Sequence, residues 1–181
     1  MVNAGIEITC APAHIDEQPI KQAAKESGRD VGDATRELAI AKAVVISQRQ
    51  PEAYVIGADQ ILTCQGEWYD KPESLTEAAN HLRRLSGKTH YLHNAVCVVR
   101  QGETLWDHTE TAELKVRPLD EDFIAGYMKK SGEDVMSSVG AYQLEGIGAH
   151  LFESIRGDYF TILGLPLLPL LGYFRSAGLI R

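Results

Sequence analysis

Two long runs of β-forming residues, separated by a Gln-Gly pair, constrain the fold of this chain most strongly. The first run extends from His90 to Arg100 and the second from Thr104 to Arg117, with Gln101-Gly102 between them. Such runs around a short glycine-containing turn predict a β-hairpin. Helical patterns lie before and after this hairpin, and a mixed order of strands and helices indicates the α/β class with a mixed sheet.

Weaker local signals predict the remaining elements. The predicted helices are Asp33 to about Gln50, Thr76 to Leu85, Asp120 to about Lys130 (closed by Gly132), and a last helix that starts near Gly164. The predicted strands are Ala53 to Ala58, which ends at Asp59 and continues in extended form from Ile61 to Cys64, and Ala149 to Ile155. Two segments are predicted to be loops, Ala11 to Gly32 and Glu133 to Gly148.

Composition limits the classes of protein to consider. A chain of 181 residues suits one domain or two small lobes. Its net charge of −7 argues against a general nucleic-acid-binding protein, which needs a basic face for phosphates. The three cysteines form no CxxC pair, which fits a reducing cytoplasm. The most apolar stretch, Phe160 to Phe174, is interrupted by glycine and proline and is shorter than the roughly 20 residues of a bilayer span, so we expect a buried helix there.

Short motifs occur along the chain in an order that resembles one known family. They are Ile15-Asp16-Glu17, Leu38 to Ala43, Val55 to Gln60, Asp70-Lys71-Pro72, Leu85 to His90, Gly140 to Gly146, Gly157-Asp158-Tyr159 and Gly164 to Leu167. Together they resemble the Maf-like family of nucleoside triphosphate pyrophosphatases over nearly the whole chain, and in particular its 7-methyl-GTP branch. Each motif alone is weakly specific, and their common order carries the resemblance.

The resemblance implies a fold, an activity and a setting. The implied fold is an elongated mixed β-sheet with flanking helices, in two lobes around one cleft, with residues 1–181 forming a single Maf-like domain. The implied activity is hydrolysis of a nucleoside triphosphate to its monophosphate and pyrophosphate with a divalent metal ion, Mg²⁺ or Mn²⁺. The implied setting is cytoplasmic house-cleaning of non-standard nucleotides. We expect no nucleic-acid or membrane partner, and a homodimer is one assembly that the resemblance suggests.

Two carboxylates are candidates for the chemistry. Asp59 follows an apolar strand, where a carboxylate can bind Mg²⁺ or hold a water molecule, although a loop carboxylate that caps backbone amides would look the same. The resemblance places the family's catalytic aspartate at Asp59 and makes it a metal ligand as well. It makes Glu17 a further metal ligand, and otherwise Glu17 would be an ordinary loop charge.

Two lysines are candidates for binding phosphate. Lys42 lies within an apolar helix, where a lysine can extend its ammonium group to solvent, and Lys71 taken alone would be a solvated loop residue. The resemblance makes both residues phosphate ligands. Asp70 stands before Lys71 where relatives commonly have glycine, which could tighten the loop or draw the ammonium group away from the substrate.

The nucleobase would be recognised by Gln60 and Glu145, at two positions where relatives differ. Guanine presents N1–H and an amino group side by side, and a carboxylate such as Glu145 accepts both. A 7-methylguanine ring also carries positive charge, which a carboxylate favours. The combination of Gln60 and Glu145 resembles the 7-methyl-GTP branch rather than the dTTP/UTP branch. Without the resemblance, Glu145 would be a capping or paired loop charge.

The family pattern normally starts with an apolar strand and a Ser-x-Ser-Pro-x-Arg-Arg loop that holds the triphosphate. The segment Met1 to Ile6 resembles the end of the helix that follows this loop, so the chain is predicted to be N-terminally truncated relative to the family. We therefore expect weak or no activity from this exact chain and activity from an N-terminally extended version. The alternative hypothesis is a catalytically impaired nucleotide-binding or protein-interaction module.

Overall fold

The computed structural model describes residues 1 and 4–181. Within them the chain forms six α-helices, five β-strands and two 3₁₀ helices. The helices are α1 (Gln18–Ser27), α2 (Val31–Arg49), α3 (Leu75–Leu85), α4 (Glu121–Ser131), α5 (Tyr159–Ile162) and α6 (Leu167–Ser176). The strands are β1 (Val55–Cys64), β2 (Glu67–Tyr69), β3 (Thr89–Arg100), β4 (Glu103–Val116) and β5 (Phe152–Arg156). The 3₁₀ helices are Gly132–Ser137 and Ile147–Leu151.

The five strands form one sheet in the order β2-β1-β3-β4-β5. β1 and β2 pair in antiparallel fashion with Leu62 opposite Tyr69, and β4 and β5 do so with Leu114 opposite Ile155. The predicted hairpin is confirmed as β3 and β4. Its two turn residues, Gln101 and Gly102, have φ angles of 53° and 79°, as a tight hairpin turn requires. The predicted α/β class is thus confirmed, and the pairs of known register are antiparallel.

The chain divides into two compact units. The first comprises residues 1–60, 94–110 and 164–181, and the second comprises residues 61–93 and 111–163. In the first unit, alternate residues of β3 pack into two small hydrophobic cores. Ala95 and Cys97 pack with residues of α2, whereas Val96 and Val98 pack with residues of α6. This alternation follows from the two-residue period of a strand that is covered on both faces.

The core of the second unit gathers residues from its helices and strands. Buried leucines of α3 pack there with Leu92 of β3, Leu114 of β4 and three tyrosines, Tyr69, Tyr127 and Tyr142. Burying each such side chain contributes about 1.5–3 kcal/mol to folding. In the part of the chain that is described, no helix is long and apolar enough to cross a membrane.

Several predicted boundaries were wrong, and the largest error is α1, which lies inside the predicted loop from Ala11 to Gly32. The segment was predicted to be a loop because it is polar and contains a proline. In the structure only Ala24 of α1 is buried, and Pro19 lies in the first turn, where a helix tolerates proline. Helix α2 begins at Val31 rather than at Asp33. Asp30 caps it by accepting hydrogen bonds from two backbone amides. Similarly, Ser74 rather than Thr76 caps α3, and Ser74 has the extended backbone that an N-cap requires.

Three further predictions need correction. Asp59 does not end a strand, because β1 continues without a break to Cys64. The predicted strand from Ala149 begins only at Phe152, after a 3₁₀ helix. The predicted last helix is preceded by the short α5, whose N-cap Asp158 accepts hydrogen bonds from Phe160 and Thr161. Helices α5 and α6 divide the apolar stretch in which one buried helix was predicted.

Candidate functional site

Strand β1 and helix α2 approach each other unusually closely at Gly57. A Cβ atom added at Gly57 would lie 2.3 Å from the carbonyl oxygen of Ala39 and 2.8 Å from the Cβ atom of Ala43. Both distances are shorter than ordinary packing allows, so only glycine permits this approach. Lys42 belongs to the same stretch of α2, and Asp59 is two residues beyond Gly57 on the same face of β1. The close contact therefore brings a lysine from α2 to a carboxylate of β1.

Four charged side chains meet at this point and form what we call the lysine–carboxylate cluster, namely Glu17, Lys21, Lys42 and Asp59. The ammonium group of Lys42 donates to Asp59 Oδ1 and lies 2.6 Å from Glu17 Oε1. The other oxygen of Glu17, Oε2, lies 2.8 Å from the ammonium group of Lys21. Three of the predicted site residues, Glu17, Lys42 and Asp59, are thus in direct contact.

Burial changes the acid strength of the central groups. Only 8% of the Asp59 side chain is exposed, and this burial raises the pKa of Asp59 although Lys42 partly opposes the change. Burial alone would lower the pKa of Lys42, but its contacts with Asp59 and Glu17 raise it. Burial also disfavours the charge of Glu17, yet its bonds to Lys21 and Lys42 lower the pKa of Glu17. Lys42 and Glu17 therefore stay charged at neutral pH, and Asp59 is the member of the cluster best suited to accept a proton.

Gln60 faces away from this cluster. Its Nε2 atom donates a hydrogen bond of 2.9 Å to Asn94 Oδ1, and a Cβ atom added at Gly164 would lie 3.9 Å from the same nitrogen. Gly164 directly precedes the segment that leads into α6. Because successive residues of a strand point to opposite faces, Asp59 faces α2 while Gln60 faces the side of the sheet that α6 covers.

Lys71 and Glu145 lie in the second unit. Lys71 is exposed in the segment between β2 and α3. Glu145 is exposed at a tight turn in which the Gly146 amide donates to the carbonyl oxygen of Gln143. Within residues 1 and 4–181, neither side chain forms an ion pair. Their predicted roles in binding phosphate and nucleobase stay predictions.

Two of the sequence motifs contact each other inside the second unit. The Nε2 atom of His90 lies 2.7 Å from the hydroxyl oxygen of Tyr142 and is hydrogen-bonded to it. His90 ends the motif Leu85 to His90, and Tyr142 belongs to the motif Gly140 to Gly146. Both residues are buried, and burial lowers the pKa of His90 to about 4. His90 is therefore neutral at physiological pH. Packing in this core therefore explains at least part of the choice of residues in these two motifs.

Sequence reasoning missed two residues of the site, Lys21 and Asn94. Lys21 follows Glu17 by four residues, the spacing at which oppositely charged side chains meet on a helix. That signal was present in the sequence, and it went unused because the segment was predicted to be a loop. Asn94 meets Gln60 from the neighbouring strand, and no local sequence signal predicts such a pairing.

The donor set of the cluster fits a divalent metal ion. The described residues contain no group of three or more histidines, cysteines or acids that could hold a metal ion. However, Glu17 and Asp59 already converge on one cation, the ammonium group of Lys42. Mg²⁺ in nucleotide enzymes commonly takes only one or two carboxylates from the protein, because substrate phosphates and water supply the other oxygens. Two carboxylates that attract a cation meet that requirement.

Comparison with known proteins gives the family. The sequence profile of the family described as Maf-like protein matches residues 1–177. The chain belongs to the Maf-like family. It is 51% identical over 180 residues to a 7-methyl-GTP pyrophosphatase from Rhizobium etli, an alignment that covers 99% of this chain and 90% of that protein. It is 49% identical over 181 residues to a nucleoside triphosphate pyrophosphatase from Nitrobacter hamburgensis, with 99% and 88% covered.

Proposed function

We propose that this Maf-like protein hydrolyses a nucleoside triphosphate to the monophosphate and pyrophosphate. The observation that carries the proposal is the Asp59 carboxylate of β1, which is nearly buried, has a raised pKa, and is bound by Lys42 of α2. A carboxylate of this kind suits a general base, whose pKa should lie closer to neutrality than that of an exposed aspartate. The names of two relatives at about half identity support the same activity.

In the proposed reaction, Asp59 accepts a proton from a water molecule. The water oxygen forms a bond to the α-phosphorus, and the bond from that phosphorus to the bridging oxygen of pyrophosphate breaks. Lys42 moves from its carboxylate partners to the phosphate oxygens and neutralises charge that grows on the leaving pyrophosphate. Lys71 is proposed as a second phosphate ligand. Because Asp59 needs to be ionised to accept the proton, activity falls as pH decreases through its raised pKa.

A divalent ion, Mg²⁺ or Mn²⁺, is proposed as the cofactor, held by Glu17 and Asp59. When bound, such an ion neutralises phosphate charge. Glu17 is suited to this role because its lowered pKa keeps it ionised. The same two carboxylates bind the ammonium group of Lys42, so a metal ion would compete with that contact.

For the nucleobase we propose a guanine-type ring, including 7-methylguanine, recognised by Glu145 with a contribution from Gln60. A carboxylate can accept hydrogen bonds from both N1–H and the exocyclic amino group of guanine. The exposed position of Glu145 at the tip of a turn leaves its carboxylate accessible to a ligand. We further propose that residues 1–181 act as a single Maf-like domain in the cytoplasm that removes non-standard nucleotides, with a homodimer as one possible assembly.

The test is pyrophosphate release in the presence of Mg²⁺ or Mn²⁺ from 7-methyl-GTP, GTP, UTP and dTTP. The wild-type chain, Asp59→Asn and a version with an added N-terminal Ser-x-Ser-Pro-x-Arg-Arg segment would be compared. Turnover that disappears in Asp59→Asn supports the proposed enzyme. Turnover that survives this substitution contradicts it. Nucleotide binding without turnover in every folded version would instead support the binding-module hypothesis.

A further inference from the structure

Lys21 lies in the first full turn of α1 and reaches back to Glu17. Its ammonium group lies 2.8 Å from Glu17 Oε2, and only 15% of its side chain is exposed. Lys42 takes the other oxygen, Oε1, at 2.6 Å. The carboxylate of Glu17 therefore binds two lysines at once, one through each oxygen. One comes from its own helix and one from α2.

The charges of the lysine–carboxylate cluster balance, with two carboxylates against two ammonium groups. In the proposed reaction, Lys42 leaves its carboxylate partners in order to contact phosphate. Without Lys21, this movement would leave the Glu17 carboxylate, which is 31% exposed, with no positive partner in the cluster. A charged group that loses a hydrogen-bond partner is destabilised to the extent that it is shielded from water, and about two thirds of the Glu17 side chain is shielded. The bond to Lys21 lowers this cost because it remains in place while Lys42 moves.

We propose that Lys21 is a positioning residue for polyphosphate binding, which holds Glu17 so that Lys42 is released to the substrate. This inference rests on the proposed function and adds a residue to it. Lys21 acts through Glu17 and need not touch the substrate. Its loss should weaken binding of the polyphosphate more than it slows the chemical step.

The kinetic test compares Lys21→Gln with Lys25→Gln, which removes the same charge from an exposed position one turn further along α1. We expect Lys21→Gln to raise KM for the nucleotide about tenfold with kcat nearly unchanged, because a hydrogen bond to a charged group contributes about 1.5 kcal/mol or more. Lys21→Arg should restore the wild-type KM. Equal KM values for Lys21→Gln and Lys25→Gln would overturn the proposal.

A binding measurement keeps the test independent of turnover. Calorimetric titration with a non-hydrolysable guanosine triphosphate, in which a methylene group bridges the α- and β-phosphates, should give a dissociation constant about tenfold higher for Lys21→Gln than for Lys25→Gln. If the two variants bind equally, Lys21 has no positioning role even when the wild type is active. If the wild type binds and Lys21→Gln binds less, but no version releases pyrophosphate, then the proposed reaction fails and the role of Lys21 in binding stands.

Discussion

The contact between Gly57 and α2 gives the sharpest prediction. Replacing Gly57 by alanine adds a methyl group whose carbon would lie 2.3 Å from the carbonyl oxygen of Ala39, 2.8 Å from Ala43 Cβ and 3.1 Å from Cys97 Sγ. The first of these neighbours is backbone, so no side-chain rotation can relieve it. Restoring a normal carbon–oxygen separation requires helix and strand to move apart by roughly 1 Å, since interiors are close-packed.

Two magnitudes follow from this displacement. Overpacking of a core by one carbon costs about 1–3 kcal/mol, which for a protein of this size lowers Tm by roughly 3–10 °C. The displacement also separates Lys42 from Asp59, because these residues lie on the two elements that are pushed apart. A shift of about 1 Å in a reacting group can cost roughly a hundredfold in rate. We therefore expect Gly57→Ala to remain folded, with a modest loss of stability and a loss of about 30- to 100-fold in kcat/KM.

The assay combines thermal unfolding with pyrophosphate release for three variants. Gly126→Ala is the matched control, because Gly126 is exposed in α4 and a Cβ atom there would meet nothing within 4 Å. It should gain about 0.5–1 kcal/mol of stability and keep full activity. The double variant Gly57→Ala with Ala43→Gly removes one neighbour but not the Ala39 carbonyl group, so activity should not return. Wild-type Tm and activity in Gly57→Ala would refute the reasoning.

Three further predictions address the pH dependence and the site. Burial lowers the pKa of His90 from 6.5 in the unfolded chain to about 4, so on acidification the unfolded state takes up a proton before the folded state does. The contribution of neutral His90 to the free energy of unfolding is therefore fully present above pH 7, and the free energy of unfolding falls by about 2 kcal/mol between pH 7 and pH 5. Urea unfolding at these two pH values should show this loss, and His90→Phe should reduce it. Asp59→Asn should lower the rate of turnover at least about a hundredfold. It should leave the Tm at pH 8 unchanged or raise it, because the raised pKa of Asp59 means that its ionised form opposes folding, and a large loss of stability would contradict this. Glu145→Gln should lower the ratio of kcat/KM for 7-methyl-GTP to that for UTP by about tenfold or more, and an unchanged ratio would exclude Glu145 from base recognition.

Local signals explain which elements could be predicted from the sequence. The β3–β4 hairpin and α4 depend on short-range features, namely two β-forming runs around Gln101-Gly102, and a helix between Asp120 and Gly132. The helix was predicted to open at Asp120, whose side chain accepts a hydrogen bond of 2.7 Å from the Phe123 amide, as an N-cap residue does. Helix α1 gave a weaker signal, the i,i+4 spacing of Glu17 and Lys21, because it buries only Ala24 and is mostly exposed. Its polar sequence therefore resembled a loop.

The candidate site was predictable as a set of residues but not as an arrangement. The family resemblance pointed to Glu17, Lys42 and Asp59, and the structure brings these three into contact. What joins them is the absence of a side chain at Gly57, a tertiary effect that no pattern within the strand reveals. Whether a glycine in a strand marks a bulge, a bend or a close backbone approach depends on which element packs against it.

Asp59 and Gln60 are neighbours in one sequence motif, but their side chains have different partners in this fold. They are adjacent in β1, so the pleat of the strand turns one toward α2 and the other toward the α6 side. Asp59 joins the lysine–carboxylate cluster, whereas Gln60 commits its amide nitrogen to Asn94 and lies near Gly164. A glutamine in this setting cannot approach a base from the same side of the strand as Asp59. Any influence of Gln60 on base preference must therefore come from the α6 side, for example through the position of Asn94 and the segment at Gly164.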